Sequence, residues 1–470
     1  SLFYEENMNL DLMYSMLNPM LGPMITIGIN SSNIVWVGGS VGQVVNYTNL
    51  DFFRRIILKS GKFQDNSSRD QYRIQRISKI KLPLPPMSTW IPAGGKGISR
   101  SNVILSGIGE YIERYFGAFS ILEDSDMICN TYRELSKVGY NLLDPNKISF
   151  FHEIQFKKPN FPYVPFTPDT FVCWTKFVNL GDNSSYYVPH QLVYLAYFLR
   201  PGETPITYAT TGGLAFDHDY ESAYSHGLLE YIERDAINIA WISKIPAKRV
   251  VVDDKELKDL VDYLLGPLSN KMTIISFPTE IKGVFIIGVM GFVNEKFIAG
   301  AATDISVRRA FLRALTEALQ SLRASMSFAS PADESSIRLD YEDLYEFSLV
   351  MPYYSQEDKR KILTSWLNGL EEVNASKLFE EERFKNTDEL TRQLIKKGFT
   401  VLVKDFGVEK YLPNGGKLVR VFIPELTPAH VPNKPFLGHP RYYKAPVIFG
   451  LSKQPYTINH LYLEEPVPFP

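Results

Sequence analysis

The pentapeptide Glu-Tyr-Ile-Glu-Arg occurs twice, at residues 110–114 and 230–234. Apolar residues recur at helical spacing around each copy, so the glutamates of a copy sit at i and i+3, the arginine at i+4, all on one helix face. A single such face is ordinarily a solvated salt-bridge stripe of little energetic worth. Repetition of all five residues, each time with a glycine shortly before the motif, points to chemistry instead. A third helix, read over 305–325, carries Glu317, Gln320 and Arg323 at three-residue steps beside an apolar side of Leu312, Leu315, Leu319 and Leu322.

Glu110, Glu113, Glu230, Glu233 and Glu317 brought together without cations would repel one another and raise their own pKa values. A hard divalent cation removes that conflict. Mg²⁺ takes oxygen ligands, a few carboxylates plus phosphate oxygens, and keeps some water. Donors for phosphate are offered by Gly94-Gly-Lys96-Gly97, followed by Ser99 and Ser101 at the start of the first helix: backbone N–H groups, a lysine and hydroxyls. Neither a Walker A sequence nor the glycine loop and catalytic motifs of a protein kinase is present. These residues alone imply a Mg²⁺-dependent nucleotide or phosphate enzyme. The seven histidines form no HExxH, and neither a G-x-S-x-G elbow nor a Cys-His signature supports a covalent hydrolase.

Composition narrows the class. A chain of 470 residues, 45% hydrophobic and 22% charged, can bury a large core and suggests two or three lobes. A net charge of −2 gives no electrostatic footprint for nucleic acid or an anionic membrane. Two cysteines, Cys129 and Cys173, are too few for a disulfide framework or zinc cage and suggest a reducing compartment. With no basic-then-apolar signal segment and no long apolar run, the expected location is cytoplasmic.

The elements that must hold these residues are read from the patterning. Residues 1–90 read as an N-terminal strand and hairpin region (25–29, 34–37) with a polar, then proline-rich connector. A helix comes next, to about 120, then strands 171–178 and 186–193, and the loop Thr210-Thr-Gly-Gly-Leu-Ala-Phe-Asp217 opening the second repeat helix, 220–243. Buried strands are expected at 249–252, 272–277 and 284–293 ahead of the Glu317 helix. A polar helical insertion spans about 331–398, strands 400–404 and 417–423 come after it, and 425–470 is proline-rich, ending Pro466-Val-Pro468-Phe-Pro470.

In this order, Gly95-Lys-Gly97, Ser106 with Glu110/Glu113/Arg114, Gly213-x-Ala215 before Glu230/Glu233/Arg234-Asp235, Arg313 to Gln320, and Val419-Arg-Val-Phe-Ile-Pro424 resemble the blocks of the YcaO superfamily. The resemblance runs from about residue 90 onward. It implies a mixed α/β (α+β) fold with an internal repeat, mixed sheets packed with helices around a central Mg-ATP site, and residues 91–470 as the catalytic domain. It further implies Glu110, Glu113, Glu230, Glu233 and Glu317 as Mg²⁺ ligands, and Lys96, Ser99, Arg114, Arg234 and Gln320 as contacts to ATP, with Ser106 and Arg323 as weaker candidates. The ending resembles the Pro-x-Pro-x-Pro terminus of azoline-forming cyclodehydratases of ribosomal peptide pathways, including those of thiazole/oxazole-modified bacteriocins and toxins. By that likeness a Cys, Ser or Thr of a precursor peptide adds to the preceding amide, the oxygen is phosphorylated by ATP, and the Pro470 carboxylate accepts a proton or organises the site.

The match has departures. Gly212 stands where relatives commonly have Asn, and Asp217 replaces a glycine, which puts loop contacts there in doubt. Residues 1–90 are too short for a fused leader-binding, E1-like domain, so a separate partner protein is expected, with a flavin-dependent azoline dehydrogenase. Homodimer formation is allowed. A YcaO enzyme making a thioamide or amidine, or a non-catalytic peptide-binding scaffold, are the rival readings.

Overall fold

The computed structural model describes residues 127–195, 199–327, 339–410 and 416–469, four strands before residue 97, and helical residues 109–110, 113–114 and 116–117. The chain divides into two units: Ser1–Asn146, Pro162–Gly227 and Leu402–Val421 form the first, and Lys147–Phe161, Leu228–Val401 and Phe422–Pro470 the second.

In the first unit, β1 (Met24–Ile29), β2 (Ile34–Gly39), β3 (Val44–Thr48) and β4 (Ile91–Lys96) form a sheet in the order β3-β2-β1-β4. The expected hairpin is present, with Ile27 opposite Val37. Gly94, Gly95 and Lys96, the proposed phosphate donors ahead of the first helix, are extended and paired with Thr26, Ile25 and Met24. A second sheet contains β5 (Ile128–Thr131), β6 (Phe171–Asn179), β7 (Ser185–Pro189) and β8 (Leu214–Asp217). Cys129 and Cys173 face each other across β5 and β6 and are joined by a disulfide, their Cα atoms 4.0 Å apart. Strand register, which a cysteine count does not contain, makes that bridge, so the count no longer supports a reducing compartment.

Helix α1 (Tyr220–Ile242) comes after β8, its first turn capped by Asp219, whose carboxylate accepts from the Ser222 N–H at 2.7 Å. From Leu228 onward it belongs to the second unit. There β9 (Lys248–Val251), β10 (Met272–Ser276), β11 (Phe285–Val293) and β12 (Lys296–Asp304) join β13 (Glu371–Asn374) in the order β12-β11-β10-β9-β13. Strand β12 was not anticipated. Its Ala-Gly-Ala-Ala run has weak β propensity, but the two-residue turn Asn294-Glu295, with φ of 49° and 67°, has the positive angles of a tight hairpin. Helices α2 (Lys255–Leu265) and α3 (Val307–Ser327) cover this sheet, burying Leu257, Val261, Phe311 and Leu315 against Ile287, Val289 and Ile298.

The polar stretch contributes α4 (Val350–Ser355), α5 (Glu357–Asn368), α6 (Ala375–Glu380) and α7 (Thr387–Lys396). It is more than solvated surface: β13 extends the sheet parallel to β9, and Tyr353 and Tyr354 are fully buried. Strands β14 (Leu402–Asp405) and β15 (Lys417–Phe422) complete the first unit's second sheet, whose order is β5-β6-β14-β15-β8. A last helix, α8 (Arg441–Ile448), precedes the proline tail. Among the described residues no helix is long and apolar enough to cross a membrane.

Candidate active site

In the second unit, α1 places Glu230 half-buried and Glu233 buried one turn apart, with Arg234 beside them. The next residue fixes the face. Asp235 accepts from the Thr427 N–H at 2.8 Å and its hydroxyl at 3.1 Å, and from the Arg441 guanidinium at 2.8 Å; Arg441 also donates to Glu280 at 2.8 Å. These paired charges, 5% exposed on both sides for Asp235 and Arg441, tie the segment after β15 to the helix. The first pentapeptide copy is followed by Tyr115, the second by Asp235. That difference was the only sequence sign of a structural role.

Glu317 and Gln320 lie half-buried on α3. The start of that helix is held by carboxylates: Glu382 accepts from the Val307 N–H at 2.7 Å and Asp304 from that of Ser306 at 3.0 Å. Gly300 of β12 lets the helix approach closely at the turn that carries Glu317. A Cβ there would stand 2.3 Å from the Ala318 nitrogen and 2.7 Å from the Glu317 carbonyl carbon.

A pocket in the same unit is lined by Arg234, Ile237 and Asn238 of α1, by Phe347, by Ala429, His430 and Pro432, and by Val467 and Phe469 of the tail. The Arg234 guanidinium lies over the Phe347 ring, 5.8 Å from its centroid. Asn238 donates to the Thr427 hydroxyl at 3.2 Å and the Pro428 carbonyl at 3.1 Å. Burial pushes the His430 pKa down to about 4, so the ring is neutral. Its Nδ1 lies 3.1 Å from the Val431 carbonyl, which only an N–H can satisfy, leaving Nε2 an acceptor.

The tail is therefore built into the unit through Phe469. Glu465 accepts from Tyr353 at 2.5 Å and pairs with Lys359 at 2.6 Å, its carbonyl accepts from Trp241 at 3.0 Å, and the Pro466 carbonyl accepts from Tyr354 at 2.5 Å. Pro470, the expected proton acceptor, lies outside the described residues.

In the first unit, Arg114 pairs with Glu110 at 2.5 Å, and Glu113 lies half-buried on the same helical stretch. That stretch packs tightly at Gly117, where a Cβ would meet Leu214 at 2.4 Å. The loop before β8 is pinned by Arg420, which donates to the carbonyls of Thr210 at 2.9 Å and Gly212 at 3.3 Å. Reading the block around β15 as a strand missed this arginine's task. Asp217 accepts from His218 at 2.6 Å and pairs with His226 at 3.1 Å; burial opposes its ionisation, but the two histidines outweigh it and hold its pKa at about 2. Ser99 and Ser106 lie outside the described residues, as do the side chains of Lys96, at the end of β4, and Arg323, in α3.

Among the described residues no three His, Cys, Asp or Glu side chains are gathered as a ready-made metal cage. A Mg²⁺ site needs less, because carboxylates are joined by substrate phosphates and water. A family model described as YcaO cyclodehydratase, ATP- and Mg²⁺-binding, matches residues 94–427. The chain belongs to the YcaO family. Solved structures carry the same fold. They include a heterocyclase in complex with substrate and cofactor (TM-score 0.60, 19% identity, covering 98% of this chain and 56% of that one). The Methanopyrus kandleri YcaO bound with AMPPCP and Mg²⁺ matches at TM-score 0.52 and 16% identity, covering 89% of this chain and 90% of that one. The Escherichia coli microcin synthetase McbBCD complex with pro-MccB17 bound matches at TM-score 0.55 and 16% identity, over 80% and 90%. This YcaO chain thus spans little more than half the length of the first heterocyclase. No curated protein sequence matches it.

ATP and Mg²⁺, the ligands named in the family description, suit the donor set of this YcaO protein. Glu230, Glu233 and Glu317 are oxygen donors on rigid helices, and Arg234 is a cation at a pocket edge beside an aromatic ring.

Proposed function

We propose that this YcaO enzyme carries out ATP-dependent cyclodehydration of Cys, Ser or Thr in a ribosomally made precursor peptide, forming thiazoline or oxazoline rings. The observation that carries the reading is the proline tail, whose Val467 and Phe469 wall the pocket beside Arg234. The side chain of the peptide adds to the preceding amide carbonyl and closes the ring, the resulting hemiorthoamide oxygen takes a phosphoryl group, and loss of phosphate together with the nitrogen proton forms the C=N bond of the azoline, with net loss of water. ATP with Mg²⁺ supplies the phosphoryl group and neutralises its charge during transfer. Glu110, Glu113, Glu230, Glu233 and Glu317 are assigned to the metal. Lys96, Ser99, Ser106, Arg114, Arg234, Gln320 and Arg323 are assigned to the nucleotide and its phosphates, and Pro470 to the catalytic step.

The substrate-bound heterocyclase and the pro-MccB17-bound synthetase support a peptide substrate and partner proteins. A separate E1-like leader-binding protein would deliver the peptide, and a flavin-dependent dehydrogenase would oxidise the azolines. Mass spectrometry of precursor peptide co-expressed with this protein and its partner tests the reading. Each ring should remove one water mass in an ATP-dependent manner, and Glu113→Gln should abolish the loss while leaving the fold unchanged. An ATP-dependent gain of sulfur in place of the water loss would refute the azoline reading, and wild-type turnover by Glu113→Gln would refute the metal assignment.

A further inference from the structure

Helices α4 and α5 arise from the polar stretch, yet two adjacent tyrosines there, Tyr353 and Tyr354, are 1% and 0% exposed. A buried tyrosine hydroxyl needs a partner. Both hydroxyls find theirs in the tail, at the Glu465 carboxylate and the Pro466 carbonyl. Lys359 takes the other Glu465 oxygen, and Trp241 takes the Glu465 carbonyl. Two consecutive tail residues therefore have all their acceptor groups engaged. Glu465 is among the least exposed acids of the described residues.

Beyond this anchor the chain is stiff. Pro466 and Pro468 fix their own φ and restrict the residues before them, so the direction set at Glu465 is carried to Val467 and Phe469. Phe469 lies edge-on to Phe277, with ring centroids 5.3 Å apart, over the bare Cα of Gly288. None of Tyr353, Tyr354, Lys359 or Glu465 lines the pocket; Val467 and Phe469 do.

We propose that Tyr353, Tyr354 and Lys359 are positioning residues that hold the tail so that Val467 and Phe469 stand as a wall of the pocket beside Arg234. This rests on the reading that the tail serves azoline formation. The polar helices are then a bracket for the site, acting through the tail without touching substrate. A merely structural clasp would contribute to stability alone.

The test uses the full chain with its partner protein and precursor peptide. Lys359→Met keeps the apolar stem and removes the charge; Tyr354→Phe removes one hydroxyl and covers the case in which the lysine variant fails to fold. Each variant should lower kcat for water loss roughly tenfold or more, with KM for ATP within about twofold. Hydrogen exchange of the peptide covering 461–469 should quicken by a similar factor. In a background lacking residues 466–470 neither substitution should lower the rate further, because both act through the tail. Lys359→Arg should restore part of the rate. Faster tail exchange with an unchanged rate overturns the proposal, as does an equal loss in the truncated background, or unchanged exchange in both variants. A wild-type protein that removes no water would instead defeat the azoline reading, while tail exchange would still decide whether the bracket exists.

Discussion

Gly300→Ala tests the placement of Glu317 through a single methyl group. The added Cβ would stand 2.3 Å from the Ala318 nitrogen, 2.7 Å from the Glu317 carbonyl carbon and 2.9 Å from the Ala314 carbonyl oxygen. All three are backbone atoms of α3, so no side-chain rotation relieves the clash. Ordinary contact begins near 3.4 Å, so the helix must withdraw from β12 by about 1.1 Å. Overpacking of this kind costs about 1–3 kcal/mol, which a chain with this core survives. A displacement of about 1 Å in a catalytic group costs on the order of 100-fold in rate. The expectation is a folded protein with ATP-dependent turnover down by about that factor and a raised Mg²⁺ requirement, measured in steady-state assays across a Mg²⁺ titration. Gly291→Ala is the control. Its Cβ would meet the Lys271 carbonyl oxygen at 2.0 Å, a comparable insult in the same sheet but against a different segment. If both variants lose activity equally, or Gly300→Ala turns over like wild type, the role proposed for Glu317 does not depend on this contact.

Two further outcomes concern the segment after β15. Burial depresses the pKa values of both His430 and His439 to about 4 from an ordinary 6.5, so the folded state keeps them neutral while the unfolded chain takes up protons as the pH falls. Stability is present above pH 6.5 and is lost on the way down to about 4, by on the order of 3 kcal/mol for each histidine. Urea unfolding at pH 7 and pH 5 should show the drop, and flat stability over that range would contradict the neutral assignment. Asp235→Asn leaves the buried Arg441 with Glu280 as its remaining carboxylate; it should cost on the order of 3 kcal/mol, and a melting temperature equal to wild type would show that the Asp235–Arg441 pair does not tie this segment to α1.

The family, with its ATP and Mg²⁺, was legible in the sequence; the long-range pairings that build the architecture were less so. Repeated Glu-x-x-Glu-Arg motifs survive as text because the helix that carries them imposes a short, fixed spacing, and α1 and α3 begin and end within a few residues of expectation. Strand β12 was missed because its small residues are chosen for helix approach at Gly300, and close packing leaves no periodic apolar signal. The burial within the polar insertion left no sign in the sequence because Tyr353, Tyr354 and Lys359 find their partners about a hundred residues onward, at Glu465 and Pro466. Likewise, nothing near Asp235 announces Arg441. Pairings across such separations depend on the fold and leave no local mark.

The strand order of the first unit's second sheet also bears on how the protein is made. β14 and β15 lie between β6 and β8, although they are encoded far downstream of both. Among the described strands β8 has no sheet neighbour until residues 402–422 have emerged, and its Leu214–Asp217 edge waits for Lys417–Arg420. Such non-local pairing folds slowly and leaves strand edges open to wrong partners meanwhile. Fragments ending before β14 would thus carry a split sheet, and expression of this protein in pieces would call for cuts that keep residues 402–422 with the strands they join.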